Sequence, residues 1–421
     1  MKKNTSTKEL KLTNNERLSL NNITNYYAKK YANLDTKGLK IYTFKAGFKK
    51  KLDDLLIIIF DEVVNCACAY SNTTTPSAPI IWDKKHNKGK VKALVVNAGN
   101  ANAHTGYKGI KLINKYVEYL SKHIHCKEDE ILVSSTGVIG EIFNPNIIIN
   151  QIKKINNKLN CNIYDAARSI MTTDTYPKIS LKKVKINNTN FKIYGIAKGS
   201  GMIRPNMGTM LAYIFIEASV SKRVLNKLIK NNIDKTFNSI SVDSDTSTSD
   251  TLVLFSIKNK NVNFNNSNNF NILNKSISDL MKDLSLKVVK DGEGISKFIK
   301  INVEKSKSIN QAKKIGFSIV DSPLVKTAIA GEDANWGRII MAIGKSNVKI
   351  DQNKIKVFFG KNLVCRNGSK YEKLNISKLN KYMKNKTIEI TVQIQNGNYK
   401  HTVYGNDLNY DYIKINADYR S

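Results

Sequence analysis

Apolar residues fall along the chain in two kinds of run. Short unbroken stretches bounded by Asp, Asn or Gly predict buried strands at 55–60, 63–70, 92–97, 131–133, 209–216 and 251–257, after an extended IYTFKAGF segment. Rows spaced by three or four predict amphipathic helices. Ile110, Ile113, Tyr116, Val117 and Leu120 form one such row, residues 146–171 read as helical, Ser221 caps a third helix through Val224, Leu225, Leu228 and Ile229, and 270–289 makes a fourth. Residues 182–186 and 191–196 predict a hairpin turning about 187–190. From Phe298 the pattern restarts as strand, helix (308–314), strand (GFSIVDS), helix (336–343) and short strands, which sets a soft boundary near 295. Strands and helices intermix without a fixed-period repeat, so the class is α/β or α+β.

The net charge is +34 over 421 residues, a value that raises nucleic acid or membrane as partners. Its distribution argues against both. Only seven of the 68 basic residues are Arg, and the Lys are spread with Asn and Ile along the chain rather than clustered with aromatics. No run approaches the roughly 20 apolar residues of a membrane span, and MKKNTSTKELKLTNNERL lacks the apolar core of a signal peptide. The five cysteines have no zinc-site spacing; Cys66 and Cys68 alternate along one predicted strand face. Free thiols in a reducing, cytoplasmic setting are expected, with no metal.

The central stretch KGSGMIRPNMGTMLAYI changes the picture. A loop dense in Gly and Pro leads into a strand, and Gly208 precedes Thr209 at the junction. Gly lets the backbone bend until the Thr209 hydroxyl reaches its own preceding carbonyl. A cut there would leave Thr209 as a new N-terminus carrying hydroxyl nucleophile and amine base on one residue. Its α-amine, with a reference pKa of about 8, needs no histidine to take the hydroxyl proton. The five histidines are given no catalytic role; His104, in a Gly/Asn-rich loop, is expected to be a surface or hydrogen-bonding residue. Thr junctions of this kind are mostly structural, so spacing alone leaves both readings open. Thr136 and Gly137, where the 131–133 strand opens, could be oxyanion donors or an ordinary turn. Lys198 and Glu293 could each be a site charge or a solvated one. DSDTSTSDT (243–251) lacks the Gly and distal Glu of a calcium loop, and a hydrogen-bonded turn supporting the Thr209 strand is expected instead.

The central stretch closely resembles the cleavage segment of the ornithine acetyltransferase family, the bifunctional arginine-biosynthesis proteins. VVNAGNANAHTG (95–106), SSTGVIG (134–140), MTTDTYPK (171–178), VDSDTSTSDT (242–251), DGEG (291–294), AGEDANWGRI (330–339) and INADYRS (415–421) resemble it too, in order, so the likeness spans most of the chain. It implies a layered α-β-β-α sandwich of the N-terminal-nucleophile-like type over 1–295, with a smaller C-terminal α/β domain at 296–421. Self-cleavage between Gly208 and Thr209 would give an α chain 1–208 and a β chain 209–421, assembling as two copies of each.

By the same resemblance the chain moves acetyl from N-acetylornithine to glutamate through an acetyl-Thr209 ester, with no cofactor; acetyl-CoA is left open as a co-substrate. Thr136 and Gly137 form the oxyanion hole. Thr172, Lys198, Thr209, Glu293, Asn416 and Ser421 bind substrate, Lys198 taking a carboxylate and Glu293 the ornithine ammonium; within MTTDT, Thr173 and Thr175 stay open beside Thr172. Trp336 and Arg338 go to the second domain's core or a subunit contact. The family usually has Ala where Gly208 stands; Gly tolerates the bent geometry, with looser preorganisation and slower cleavage as the cost. Two rivals remain. One is an N-terminal-nucleophile aminopeptidase or amidase of related fold, which lets water resolve the ester. The other is a Lys-rich nucleic-acid-binding protein, revealed by salt-sensitive binding without self-cleavage.

Overall fold

The computed structural model describes residues 28–204, 210–257 and 260–418. The β-branched and aromatic runs become strands that share two mixed sheets, and helices cover them, as the pattern of the chain requires. The chain divides into two compact units: the described residues within Leu20–Asn238 with Thr246–Val288, and Ser239–Asp245 with the described part of Val289–Ser421.

The first unit holds β1 (Leu39–Phe44), β2 (Leu55–Tyr70), β3 (Lys90–Asn100), β4 (Ile131–Val138), β5 (Lys178–Ile186), β6 (Thr189–Lys198), β7 (Leu211–Ile216) and β8 (Thr251–Ser256). Their order is β4-β3-β2-β8-β7-β6-β5, with β1 pairing β2. The sheet folds over on itself. Lys198, at the end of β6, reaches Thr136 in β4, and Tyr213 of β7 lies against Ser134 of β4, although several strands separate them in hydrogen-bonding order. Rings from β2, β8, β7 and β6 fill the inside: Phe60, Phe255, Phe215 and Tyr194 stand 5.0–5.2 Å apart, centroid to centroid, in succession. Outside, helices Ala78–His86 and Gly106–His123 bury Trp82, Leu112, Ile113, Tyr116 and Leu120 against Leu55, Ile57, Val95 and Val133. Helix Ser267–Val289 brings Leu284 and Val288 against Gly195 and Gly199, along and just beyond β6.

The second unit holds β9 (Phe298–Ser306), β10 (Lys356–Phe359), β11 (Asn362–Arg366), β12 (Ser369–Lys370), β13 (Thr387–Gln393) and β14 (Tyr399–Asn406), ordered β12-β11-β10-β13-β9-β14. Only β13 and β9 are parallel. Ser239–Asp245 belongs here through specific bonds: Ser241 Oγ donates to Asp321 Oδ1 (2.5 Å), and buried Lys326 donates to Val242 O (2.7 Å).

Four elements differ from the hydrophobic pattern. The runs at 55–60 and 63–70 are one strand; Asp61 and Glu62 are exposed but only shift the β2–β3 register between Ile59 and Val64. β4 continues through Ser134-Ser135-Thr136-Gly137, because β3 pairs it in parallel that far. The 146–171 stretch is broken into helices Asn146–Ile152 and Ile163–Ser169 about a short 3-10 turn. Asn-rich chain intervenes, and Asn162 caps the second helix by accepting from the Tyr164 and Asp165 amides at 2.9 and 3.0 Å. GFSIV is helical rather than extended: it lies in helix Ile309–Val320, where Ala312, Ile315, Gly316, Ile319 and Val320 are buried at helical spacing. Gly316 is needed there, since a Cβ would stand 2.8 Å from Val403 Cγ2. Among the described residues no helix is long and apolar enough to cross a membrane.

Candidate active site

Strand ends and the loops leaving them carry the candidate chemistry of the first unit. β3 and β4 run side by side in parallel to Gly99 and Gly137. Gly137 has φ 129°, and a Cβ there would sit 2.2 Å from the Gly99 carbonyl carbon, so this close approach of backbones admits glycine alone. Gly137→Ala is therefore expected to destabilise the protein by about 2–4 kcal/mol. A chemical denaturation midpoint equal to wild type would refute that. The adjoining AGNAN loop is tied by its own side chains: Ser135 Oγ donates to Asn97 Oδ1 (2.6 Å), Asn97 Nδ2 to Asn100 O (2.7 Å), and Asn100 Oδ1 accepts from the Asn102 amide (2.8 Å). His104 lies exposed on this loop with φ 57°.

Lys198 gathers two hydroxyls. Its ammonium donates to Thr136 Oγ1 at 3.0 Å and Thr172 Oγ1 at 2.9 Å, and the residue is buried. Thr172 is thus the member of MTTDT brought to the lysine, while Thr175 is exposed. Beneath this cluster lies Asp174, a residue that sequence reasoning left unassigned. It accepts from the Lys178 ammonium (2.6 Å), the Gly199 amide (2.7 Å) and the Thr172 amide (3.0 Å). Both side chains of the Asp174–Lys178 pair are fully buried. Burial alone would raise the Asp174 carboxyl, but the Lys178 and Lys198 ammonium groups pull it well below the usual carboxylate range. The carboxylate therefore fixes the backbone on both sides: the amide that starts the Thr172 loop and the amide after Lys198. A single charged residue inside the hydroxyl-rich run MTTDT was the available signal.

Chain after Thr246 grips both flanks of residues 205–209. Thr246 bridges antiparallel to Ile203 and donates from Oγ1 to Arg204 O (3.0 Å); the Thr251 amide donates to Met210 O (2.9 Å), and β8 then pairs β7 in parallel from Leu211 onward. Gly208, Thr209 and Ser421 lie outside the described residues. Among the described residues no group of three or more acidic, His or Cys side chains is arranged to hold a metal ion. The five cysteines are free thiols.

In the second unit, Glu293 is buried in the DGEG turn and accepts from Asn416 Nδ2 at 2.8 Å. Asn409 Nδ2 donates to Gly294 O (2.7 Å), seating helix Tyr410–Ala417 beside the turn; Gly294, at φ 69°, leaves no room for a Cβ against the Tyr412 amide. Burial, with the Asp243 and Glu293 charges behind it, pushes the Tyr412 phenol up. Trp336 packs on the core of this unit, and Arg338 donates to Leu324 O (2.6 Å).

A buried lysine joined to one hydroxyl near the end of β4 and another in the loop before β5, over a carboxylate held ionised, is the kind of charged, hydrogen-bonded cluster that enzymes place at their sites, here on a mixed α/β fold. The chain belongs to the ArgJ family, whose model matches residues 40–421. It is 39% identical over 394 residues to the arginine biosynthesis bifunctional protein ArgJ of Bartonella henselae, a match covering 91% of this chain and 95% of that protein. The same-named protein of Rhizobium meliloti is likewise 39% identical over 394 residues, with the same coverage of each. Among solved structures the chain is similar to the crystal structure of the Bacillus halodurans ArgJ protein: 30% identical, covering 49% of this chain and 98% of that one, TM-score 0.46. Membership makes the chain an acetyltransferase of arginine biosynthesis, as its motifs imply.

Proposed function

We propose that the chain moves acetyl from N-acetylornithine to glutamate through an ester on Thr209. Maturation comes first: the Thr209 hydroxyl attacks the Gly208 carbonyl, the acyl group shifts from nitrogen to oxygen, and water releases residues 1–208. The freed α-amine then takes the Thr209 hydroxyl proton as the oxygen attacks the acetyl carbonyl. Thr136 Oγ1 and the Gly137 amide face the oxyanion, and the proton passes to the departing ornithine nitrogen. Glutamate enters, its amine attacks the ester, and N-acetylglutamate leaves. Lys198 with Thr172 holds a substrate carboxylate, and Glu293, steadied by Asn416, takes the ornithine ammonium; Ser421 is assigned with them by the family's motif. The route uses no cofactor. The setting is the reducing cytoplasm, and the mature protein is a tetramer of two α and two β chains.

The observation that carries this reading is the Lys198 ammonium, 3.0 and 2.9 Å from the Thr136 and Thr172 hydroxyls, in a chain whose cleavage segment resembles the family's apart from Gly208. The test is an assay with acetyl-labelled N-acetylornithine, with and without glutamate. Label should pass to N-acetylglutamate with stoichiometric ornithine, and acetate release should be minor. Acetate as the main product in the presence of glutamate would make the protein an amidase instead. Acetyl-CoA in place of N-acetylornithine, in the same assay, reads the second acetyl donor.

A further inference from the structure

No step above uses Lys49, yet the structure builds a site for it. The loop between β1 and β2 wraps round the buried Asp54, whose carboxylate accepts the amides of Ala46 (2.6 Å), Gly47 (3.0 Å) and Lys49 (2.8 Å). Thr43 Oγ1 holds the neighbouring Asp53 at 2.6 Å. The backbone at Lys49 is thereby fixed, and its side chain reaches the MTTDT segment. There Nζ donates to Ser169 O (3.1 Å) and Met171 O (3.0 Å). Met171 is followed directly by Thr172, the residue that takes Lys198. Two ammonium groups are thus carried to successive residues of one loop.

A lysine ammonium has three N–H donors, and Lys49 places two on carbonyls. The carboxylates around it are engaged elsewhere: Asp54 with three amides, Asp53 with Thr43, and Asp174 with Lys178 and two amides. The side chain is only partly buried, and these two contacts leave one N–H donor for a ligand. The two substrates of the proposed reaction differ in one respect that such a group can read. N-acetylornithine carries one carboxylate; glutamate carries two. A site that takes them in turn has use for one cation shared by both and a second for the acceptor alone.

We infer that Lys49 is the specificity-determining cation for the acceptor, binding the second carboxylate of a dicarboxylic amino acid while Lys198 binds the carboxylate common to both substrates. This rests on the transfer reading given above. Burial lowers the Lys49 ammonium to about 8; Asp54, Asp174 and Asp53 oppose the shift and Lys198 adds to it. A carboxylate ligand therefore meets a charged Lys49 below that pH and a neutral one above it.

The test compares matured wild type, Lys49→Met and Lys49→Arg in the two half-reactions. Lys49→Met should raise the KM for glutamate by about 10- to 100-fold, the loss of one charge-assisted hydrogen bond. The burst of ornithine and the KM for N-acetylornithine should stay within about twofold. Preference for glutamate over glutamine should fall by the same factor, and Lys49→Arg should restore part of it. In wild type the glutamate KM should climb as pH passes about 8, and in Lys49→Met that climb should be absent. Equal losses for donor and acceptor, or failure of Lys49→Met to mature, would reduce Lys49 to a clamp on the Thr172 loop and overturn the inference; no change in either KM would overturn it as well. Absence of an ornithine burst in wild type is a separate result, which removes the transfer reading and this inference with it.

Discussion

Thr209→Ala should leave the polypeptide whole. Intact-mass analysis of the variant should give one species near 47.4 kDa, where wild type gives two, the second beginning at Thr209. Acetyl transfer should fall by roughly 10⁴-fold or more, because the nucleophile and the amine that activates it vanish together. The physical reason lies in the junction. Gly208 frees the backbone to bend, and Met210 and Arg204, on either side of residues 205–209, are both bonded to the 246–251 stretch. The two flanks are therefore anchored whatever residue stands at 209, and the alanine variant should fold. A wild-type protein that stays uncut and still transfers acetyl at full rate would remove Thr209 from the mechanism.

Lys198→Met should cost about 100- to 1000-fold in kcat/KM, the range expected when one charged partner of a buried, hydrogen-bonded set is removed. Thr136 and Thr172 lose their shared donor at once. The fold should tolerate the change, because Asp174 keeps Lys178 and the Gly199 and Thr172 amides. Both KM values should rise, in contrast to the acceptor-only effect expected at Lys49. The measurement is steady-state kinetics on the matured fraction, and a loss below about threefold would show that Lys198 is only a support for its neighbours.

The strands of the first unit were readable because their residues are buried on both faces and leave unbroken apolar runs, as at Leu252–Phe255. Asp61 and Glu62 misled because two charges can ride the exposed part of a continuous strand without stopping it. GFSIV misled because β-branched residues describe a strand as well as a tightly packed helix, and only the burial of Gln311, Ala312 and Ile315 upstream decides between them. Within the site, Thr136, Gly137, Thr172 and Lys198 were named by motif, and the first unit brings them into contact or adjacency. Asp174, Lys178 and Lys49 escaped. The parts of Lys49 and Asp174 depend on long-range contacts, with the Met171 carbonyl and the Gly199 amide, which no local spacing encodes; Lys178 is only four residues from Asp174, but nothing in the sequence marks either as buried.

The order β4-β3-β2-β8-β7-β6-β5 has a further consequence if the 208–209 bond is cut as proposed. β7 and β8 would then come from one piece and their neighbours β6 and β2 from the other, so the two pieces would be dovetailed through two ladders of backbone hydrogen bonds, β2–β8 and β6–β7. Neither can drift away without tearing the middle out of the sheet. A chain that first assembled as one body would become, after such a cut, two strangers on denaturation: recovery would require their encounter, and dilution alone would make thermal inactivation permanent.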